Sequence, residues 1–308
     1  MSDAQPLNGF TAAARIIHWL EAFKLLTLPI DLDAVRSLLP ETPLGQGAII
    51  KPPMPLNIAG SEGALVRNPN NENEWGIFYN KSASAERQRF TIAHELGHFV
   101  LHRHRLPSFN CSKASIYSGA DGLVQIEREA DDFASNLLMS GNLLRQKLEG
   151  QEVDFHLLSD LAREFGVSLE AMCIRFVKYT TLRAALIYWD NGFLKYQWRS
   201  QSAVRTKVSL RKSNDPQEPP RNTLAAEEEI VQEWTGVEMS ANVWCPSVSV
   251  DIKLREMKHT YVKANRVLTL LILESAAPLT YPNSGWEDNR SFDSFDQFVN
   301  SGQLPTNR

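Results

Sequence analysis

The sequence predicts an α+β chain: a helical part with a small β-sheet, then a helix-turn-helix-like pair, then a mixed α/β part. Three observations carry this reading. Apolar residues recur at helical spacing through most of the chain up to Tyr179, strand-like runs flank turn signals such as Asp190-Asn191-Gly192, and 43% hydrophobic content over 308 residues supplies real cores.

From the N-terminus, Ile16, Leu20, Phe23 and Leu26 mark a helix over residues 11–28, closed by Pro29. Asp31 opens a second short helix through Leu39, ended by Pro40. Residues 42–57 are rich in Pro and Gly and read as loop, with a short strand at 48–50. The runs 64–67 and 75–79, separated by NPNNENE, read as a hairpin. The second run reads equally as ordinary sheet and as an edge to which an extended peptide adds. Ser84, with Glu86 in the first turn, caps a helix continuing to His102 or His104. A loop over 108–122 leads to a helix over 123–139, stopped by Ser140 and Gly141. Two helices, 157–165 and 169–179, flank Gly166-Val167-Ser168.

Beyond them, strands 184–189 and 193–198 form a second hairpin, and 199–222 reads as a long basic loop. A helix over 224–234 and strands over 238–254 and 266–274 complete this part. The expected boundaries are 1–156, 157–182 and 183–275, followed by an irregular tail over 276–308. Trp189, Trp198, Trp234 and Trp244 read as core residues.

Composition narrows the function classes. Lys and Arg number 32 against 36 Asp and Glu, a formal net charge of -4, which argues against a chain that binds nucleic acid as a whole by charge. Cys111, Cys173 and Cys245 form no CxxC pair, so a disulfide framework or thiolate zinc site is not expected. Met1–Phe10 lacks a basic segment followed by an apolar one, and the apolar run Val267–Leu273 is far shorter than the roughly 20 residues of a spanning helix. The expectation is a cytoplasmic protein with no membrane partner.

The chemistry concentrates in His94-Glu95-Leu96-Gly97-His98, an HExxH motif on an expected helix. Its histidines lie on one face about 6 Å apart along the axis, so both imidazoles reach one zinc ion (Zn2+) while Glu95 stands beside it as general base. The other positions of that helix are apolar almost all round, which implies burial, and buried His and Glu need a partner that offsets their desolvation. A catalytic zinc takes three protein ligands and keeps an open position. His102 lies about 12 Å along the helix from His94, too far for the same ion. His104 stands at the last histidine of an HExxHxxGxxH pattern, but Leu101 occupies the glycine position, so both read as supporting or structural residues.

In the next helix, Glu127 lies closest to the apolar face formed by Ile126, Ala130, Phe133 and Leu137, whereas Glu129 and Asp132 read as solvated. Glu127 is therefore the expected third ligand. Asp131, four residues on, is placed to accept from the outer nitrogen of a ligating histidine and fix its tautomer. Tyr79, Tyr117, His102 and His104 remain open as donors to a developing oxyanion.

The stretches RQRFTIAHELGHFVLH (87–102) and EREADDFASNLLM (127–139) resemble the ImmA/IrrE-type zinc metallopeptidases. The resemblance extends more weakly from the N-terminal helices through residues 161–176. It implies a zincin-like fold, His94, His98 and Glu127 as zinc ligands, and Glu95 as base. Asp131 and Asp132 stand where an Asn-containing pair is common, and Ser140 where proline is usual; neither departure touches a proposed ligand. The resemblance also implies an endopeptidase whose substrate is a specific protein, a helix-turn-helix repressor or antitoxin, with the C-terminal part sensing a signal or selecting the substrate. The alternative is a non-catalytic module that keeps the metal fold and acts through DNA or a protein partner. DNA binding is disfavoured, because the second helix of the 157–176 pair offers only Arg175 and Lys178 as cations, and the run Arg205, Lys207, Arg211, Lys212 reads as a solvated loop.

Overall fold

The computed structural model describes residues 7–56, 61–105, 108–112, 121–206, 210 and 216–273, a mixed α/β chain with two sheets. It divides into two compact units: the described residues up to Gln146 with Arg163–Ser168, and Lys147–Ala162 with the described residues from Leu169 onward. The expected tail, and Tyr117, lie outside the described residues.

In the first unit, α1 (Gly9–Ala22) and α2 (Leu32–Leu38) precede four strands: β1 (Ile49–Ile50), β2 (Met54–Leu56), β3 (Ser61–Asn68) and β4 (Asn71–Asn80). Helix α3 (Ala85–His102), strand β5 (Ser108–Ser112), α4 (Asp121–Leu138) and the start of α5 (Gly141–Leu148) complete it. The sheet order is β1-β4-β3-β5, with β2 also on β4. β3 pairs antiparallel with β4 and β5, while β1 and β2 join β4 in parallel. β4 is therefore bonded on both sides, so the reading of 75–79 as a receptive edge is corrected. One face of the sheet buries Ile50, Leu65, Trp75 and Ile77, and Trp75 meets Phe99 of α3 edge-on with ring centroids 6.1 Å apart. α4 packs on α3, and α1 on α4. The crossing of α3 and α4 needs Gly97, since a Cβ there would lie 3.1 Å from both the Cα and the carbonyl oxygen of Ala130.

The second unit holds most of α6 (Phe155–Phe165), α7 (Leu169–Tyr179) and an antiparallel sheet ordered β7-β6-β10-β9-β8. Its strands are β6 (Arg183–Asp190), β7 (Phe193–Arg199), β8 (Gln232–Ser240), β9 (Lys253–Tyr261) and β10 (Arg266–Leu273). Asn191 and Gly192 both take positive φ (53° and 83°), the geometry a two-residue hairpin turn demands. β6 is buried from Ala184 to Trp189, as befits a central strand covered on both faces. Ala185, Ile187 and Trp189 face a core with Trp244, Val248 and Leu271, and α7 packs on β6 and β7. There the Tyr196 hydroxyl donates to the Glu170 carboxylate and the Tyr188 and Tyr196 rings stack at 4.5 Å.

Several expectations shift. The first helix stops at Ala22 rather than residue 28, because Lys24 turns left-handed (φ 58°) and the Leu25 and Leu26 N–H groups both return to the Leu20 carbonyl. The helix expected over 123–139 does stop there, at Leu138, and Ser140 and Gly141 then open α5, with the Ser140 carbonyl accepting from Leu144 N–H. The expected helix over 224–234 is a 3-10 turn (Leu224–Ala226) followed by β8. Helical propensity in AAEEE yields there to tertiary contacts: Glu256 of β9 accepts the Ala225 N–H at 2.8 Å, and β8 pairs with β9. β9 was legible only at its start, since buried Glu256 and Lys258 break its apolar alternation. The basic loop contains a short helix, α8 (Gln201–Arg205), capped by Ser200.

Candidate metal centre

Helix α3 begins where the Ser84 side chain accepts the Arg87 N–H at 3.3 Å, and it buries every residue from Ala93 to Val100. His94 is nearly sealed, and Glu95, His98 and His102 are wholly inaccessible. Such burial of one acid and three imidazoles demands compensation. α4 supplies it.

The outer nitrogen of His94, Nδ1, lies 2.8 Å from Asp131 Oδ1. A carboxylate only accepts, so Nδ1 carries the proton and Nε2 keeps its lone pair. A longer path fixes His98. Glu129 Oε2 lies 2.9 Å from His102 Nε2, which therefore donates, leaving His102 Nδ1 to accept from His98 Nδ1 at 3.1 Å. Gln125 in turn donates to Glu129 Oε1 at 2.8 Å. Both ligand-type histidines thus turn unprotonated Nε2 atoms toward the same point.

At that point His94 Nε2 and His98 Nε2 are 3.0 Å apart, and the Glu127 carboxylate oxygens lie 3.3 Å from the first and 3.4 Å from the second. Burial draws the His98 imidazole down to about 4, so it is neutral at physiological pH. Two lone pairs and a carboxylate converge without a proton to share. That donor set fits a cation: ligands about 2.0–2.1 Å from a tetrahedral zinc stand about 3.3 Å from one another, and all three atoms lie within 4.8 Å of one another. Its formal charge of one negative suits a divalent ion.

The structure thus brings together His94, His98 and Glu127, with Asp131 behind His94 and His102 behind His98. Glu95 lies to one side, against β3: a Cβ on Gly63 would fall 2.8 Å from its Oε1 and 2.3 Å from Thr91 Cγ2. The strand can pass only as glycine. Glu129 corrects its expected solvated position, being half-buried and bonded to His102. Neither Gly63 nor Glu129 was marked as functional by the sequence. The signal for Glu129 was His102 itself, a third buried histidine on the motif face that needed an acceptor. Burial raises the Asp131 carboxyl, offset in part by His94, and Asp131 Oδ2 has no hydrogen-bond partner among the described residues.

Among the open oxyanion donors, His102 is engaged between His98 and Glu129, and His104 is exposed beside a separate cavity. Tyr79 is cross-strand partner to Gly63, the position that abuts Glu95.

Residues 54–177 match the model of the IrrE N-terminal-like domain. Over 95 residues the chain is 33% identical to Metallopeptidase ImmA of Bacillus subtilis (strain 168), covering 30% of this chain and 50% of that protein. The chain thus spans half the length of that relative. Among solved structures it is similar to a Mycobacterium tuberculosis transcriptional regulator, with a TM-score of 0.48 and 15% identity over 85% of this chain and 76% of that one. No described helix is long and apolar enough to cross a membrane.

Proposed function

We propose that this chain is a zinc-dependent endopeptidase that cuts one specific protein, a helix-turn-helix repressor or antitoxin, and so regulates gene expression, a reading supported by the match of residues 54–177 to the IrrE N-terminal-like domain and by the similarity to Metallopeptidase ImmA. The observation that carries the proposal is the convergence of His94, His98 and Glu127 with Glu95 buried beside them. Zinc bound by the three would supply a Lewis acid that lowers the pKa of a bound water toward about 7 and polarises the scissile carbonyl.

The remaining steps belong to the chain. Glu95 takes the proton of the attacking water and passes it to the leaving amine as the C–N bond breaks. Its position against Gly63 keeps the carboxylate from swinging away. Asp131 and the His102–Glu129 pair hold the ligand imidazoles in the tautomer that presents Nε2. Tyr79, opposite Gly63, is assigned as donor to the tetrahedral oxyanion. Signal sensing or substrate selection is assigned to the second unit, most of which lies beyond the matched segment.

The test begins with zinc per chain in purified protein, beside Glu127→Ala and Glu95→Gln variants. About one zinc in the wild type, weakened retention in Glu127→Ala, and intact retention without cleavage of the target repressor in Glu95→Gln are the expected results. A wild-type chain that takes up no zinc on reconstitution would sink the enzyme reading and favour a regulatory module acting through a protein partner.

A further inference from the structure

A cavity of about 310 Å³ opens in the first unit, near the C-terminal end of α3, lined by Arg67, Arg103, His104, Glu72 and Trp75 and by the loop at Gly45. Its basic residues come from three places in the fold: Arg67 from β3, Arg103 from the cap of α3, and His104 from the turn that follows.

Arg103 is the unusual member. It is only 7% exposed, yet no carboxylate lies within ion-pair distance of it among the described residues. Its Nη1 donates to the Phe99 carbonyl at 3.0 Å and its Nη2 to the Gly45 carbonyl at 3.2 Å, with the guanidinium 4.7 Å from the Phe99 ring centroid. These contacts hold the group in place without neutralising it. A buried guanidinium without a counter-charge is costly, and an anion in the adjoining space removes that cost.

Arg67 is only loosely committed. Its Nη1 stands 3.6 Å from Glu72 Oε2, and the Glu72 side chain is 81% exposed, so this rim pair is weak and readily exchanged. The lining carries two guanidinium groups against one carboxylate, with an imidazole able to donate as well.

We propose that this cavity binds a phosphate group, free or as a monoester. Guanidinium forks match the oxygen spacing of phosphate, and donors approaching from three elements suit a tetrahedral anion better than a planar carboxylate. The volume exceeds what one phosphate needs and admits the first atoms of an esterified partner. The site is separate from the metal ligands and does not depend on the protease reading.

The experiment is calorimetric titration of the full chain with inorganic phosphate and with O-phosphoserine. Each is run on zinc-loaded and on chelator-stripped protein, because phosphate also ligates zinc. One saturable site in both metal states is expected. Arg67→Gln should weaken it about tenfold, the effect of one charge-assisted contact, and Glu72→Gln should tighten it. Arg103 is left intact because it also caps α3, and thermal melts verify that both variants fold. A tighter fit for phosphoserine identifies a monoester as ligand, and a tighter fit for inorganic phosphate identifies the free ion. Binding that disappears with the metal, that ignores both substitutions, or that is absent at about 10 mM overturns the proposal.

Discussion

At His98 two requirements meet in one imidazole: it is sealed from water, and its lone pair must stay available. Burial satisfies both by drawing its titration from the ordinary 6.5 down to about 4. The linkage has a definite sign. Between those values the unfolded chain binds a proton that the metal-free fold refuses, so the stability of that fold is full above 6.5 and falls as pH drops toward 4. The slope from this residue is at most about 1.4 kcal/mol per pH unit. Urea unfolding of stripped protein across that range checks it, and a His98→Gln variant should flatten the curve. The path behind His98 is equally testable. Glu129→Ala should weaken zinc retention about 10- to 100-fold, with Glu129→Gln largely restoring it because the acceptor remains; a chelator competition assay in which Glu129→Ala holds zinc like the wild type would refute the role. Glu127 and Asp131 were legible in the sequence because spacing of four puts them on one helix face. Glu129 was not, because two positions on a helix turn the Cα away, and only the reach of its side chain to His102 recovers the contact.

Among the elements, those the sequence announced best were the ones whose own residues decide them. α3 carries its cap, its acid in the first turn and an apolar circumference, and its limits match the reading almost to the residue. β8 and most of β9 were lost, because β8 is held by pairing with β9, and β9 by pairing with β10 and by a buried Glu256 bonded to Ala225 N–H and Trp244 Nε1, none of which a local pattern contains. The crossing of α3 and α4 gives a prediction at this scale. Gly97→Val would drive methyl groups into Ala130 and Phe133 and should destabilise the metal-free protein by about 2 kcal/mol in urea titration. The contact of α7 with its sheet gives another. Burial raises the Glu170 carboxyl, and the Tyr196 hydroxyl offsets this only in part. The folded state therefore favours the protonated acid, so this residue supports stability below its ordinary 4.5 and loses that support as pH rises through the elevated value. Glu170→Gln should accordingly raise the melting temperature at pH 8 and leave it unchanged at pH 4.

For the whole molecule, two cores mean two melting events. The candidate metal site lies in the first, so on the proposed reading zinc should stabilise that transition by about 4 kcal/mol at free zinc 1,000-fold above its dissociation constant and leave the other in place. Differential scanning calorimetry with and without chelator checks this, and a shift of both transitions together would show that the ion stabilises more than the unit that holds it. The sequence reads as 1–156, 157–182, 183–275 and a tail, whereas the described residues form two compact units in which Arg163–Ser168 belongs with the first while the flanking residues belong with the second. One feature of the centre reaches beyond the finished fold. His94 and Asp131, 37 positions apart, bracket the hydrogen bonds described above behind the proposed ligands. Contacts so local form early, while distant ones wait for loop closure. On the ribosome, α3 and α4 emerge before most of the second unit has been translated, so on the proposed zinc reading metal acquisition can begin during synthesis. Zinc supply during translation would then bear on what fraction of the proposed enzyme is born active.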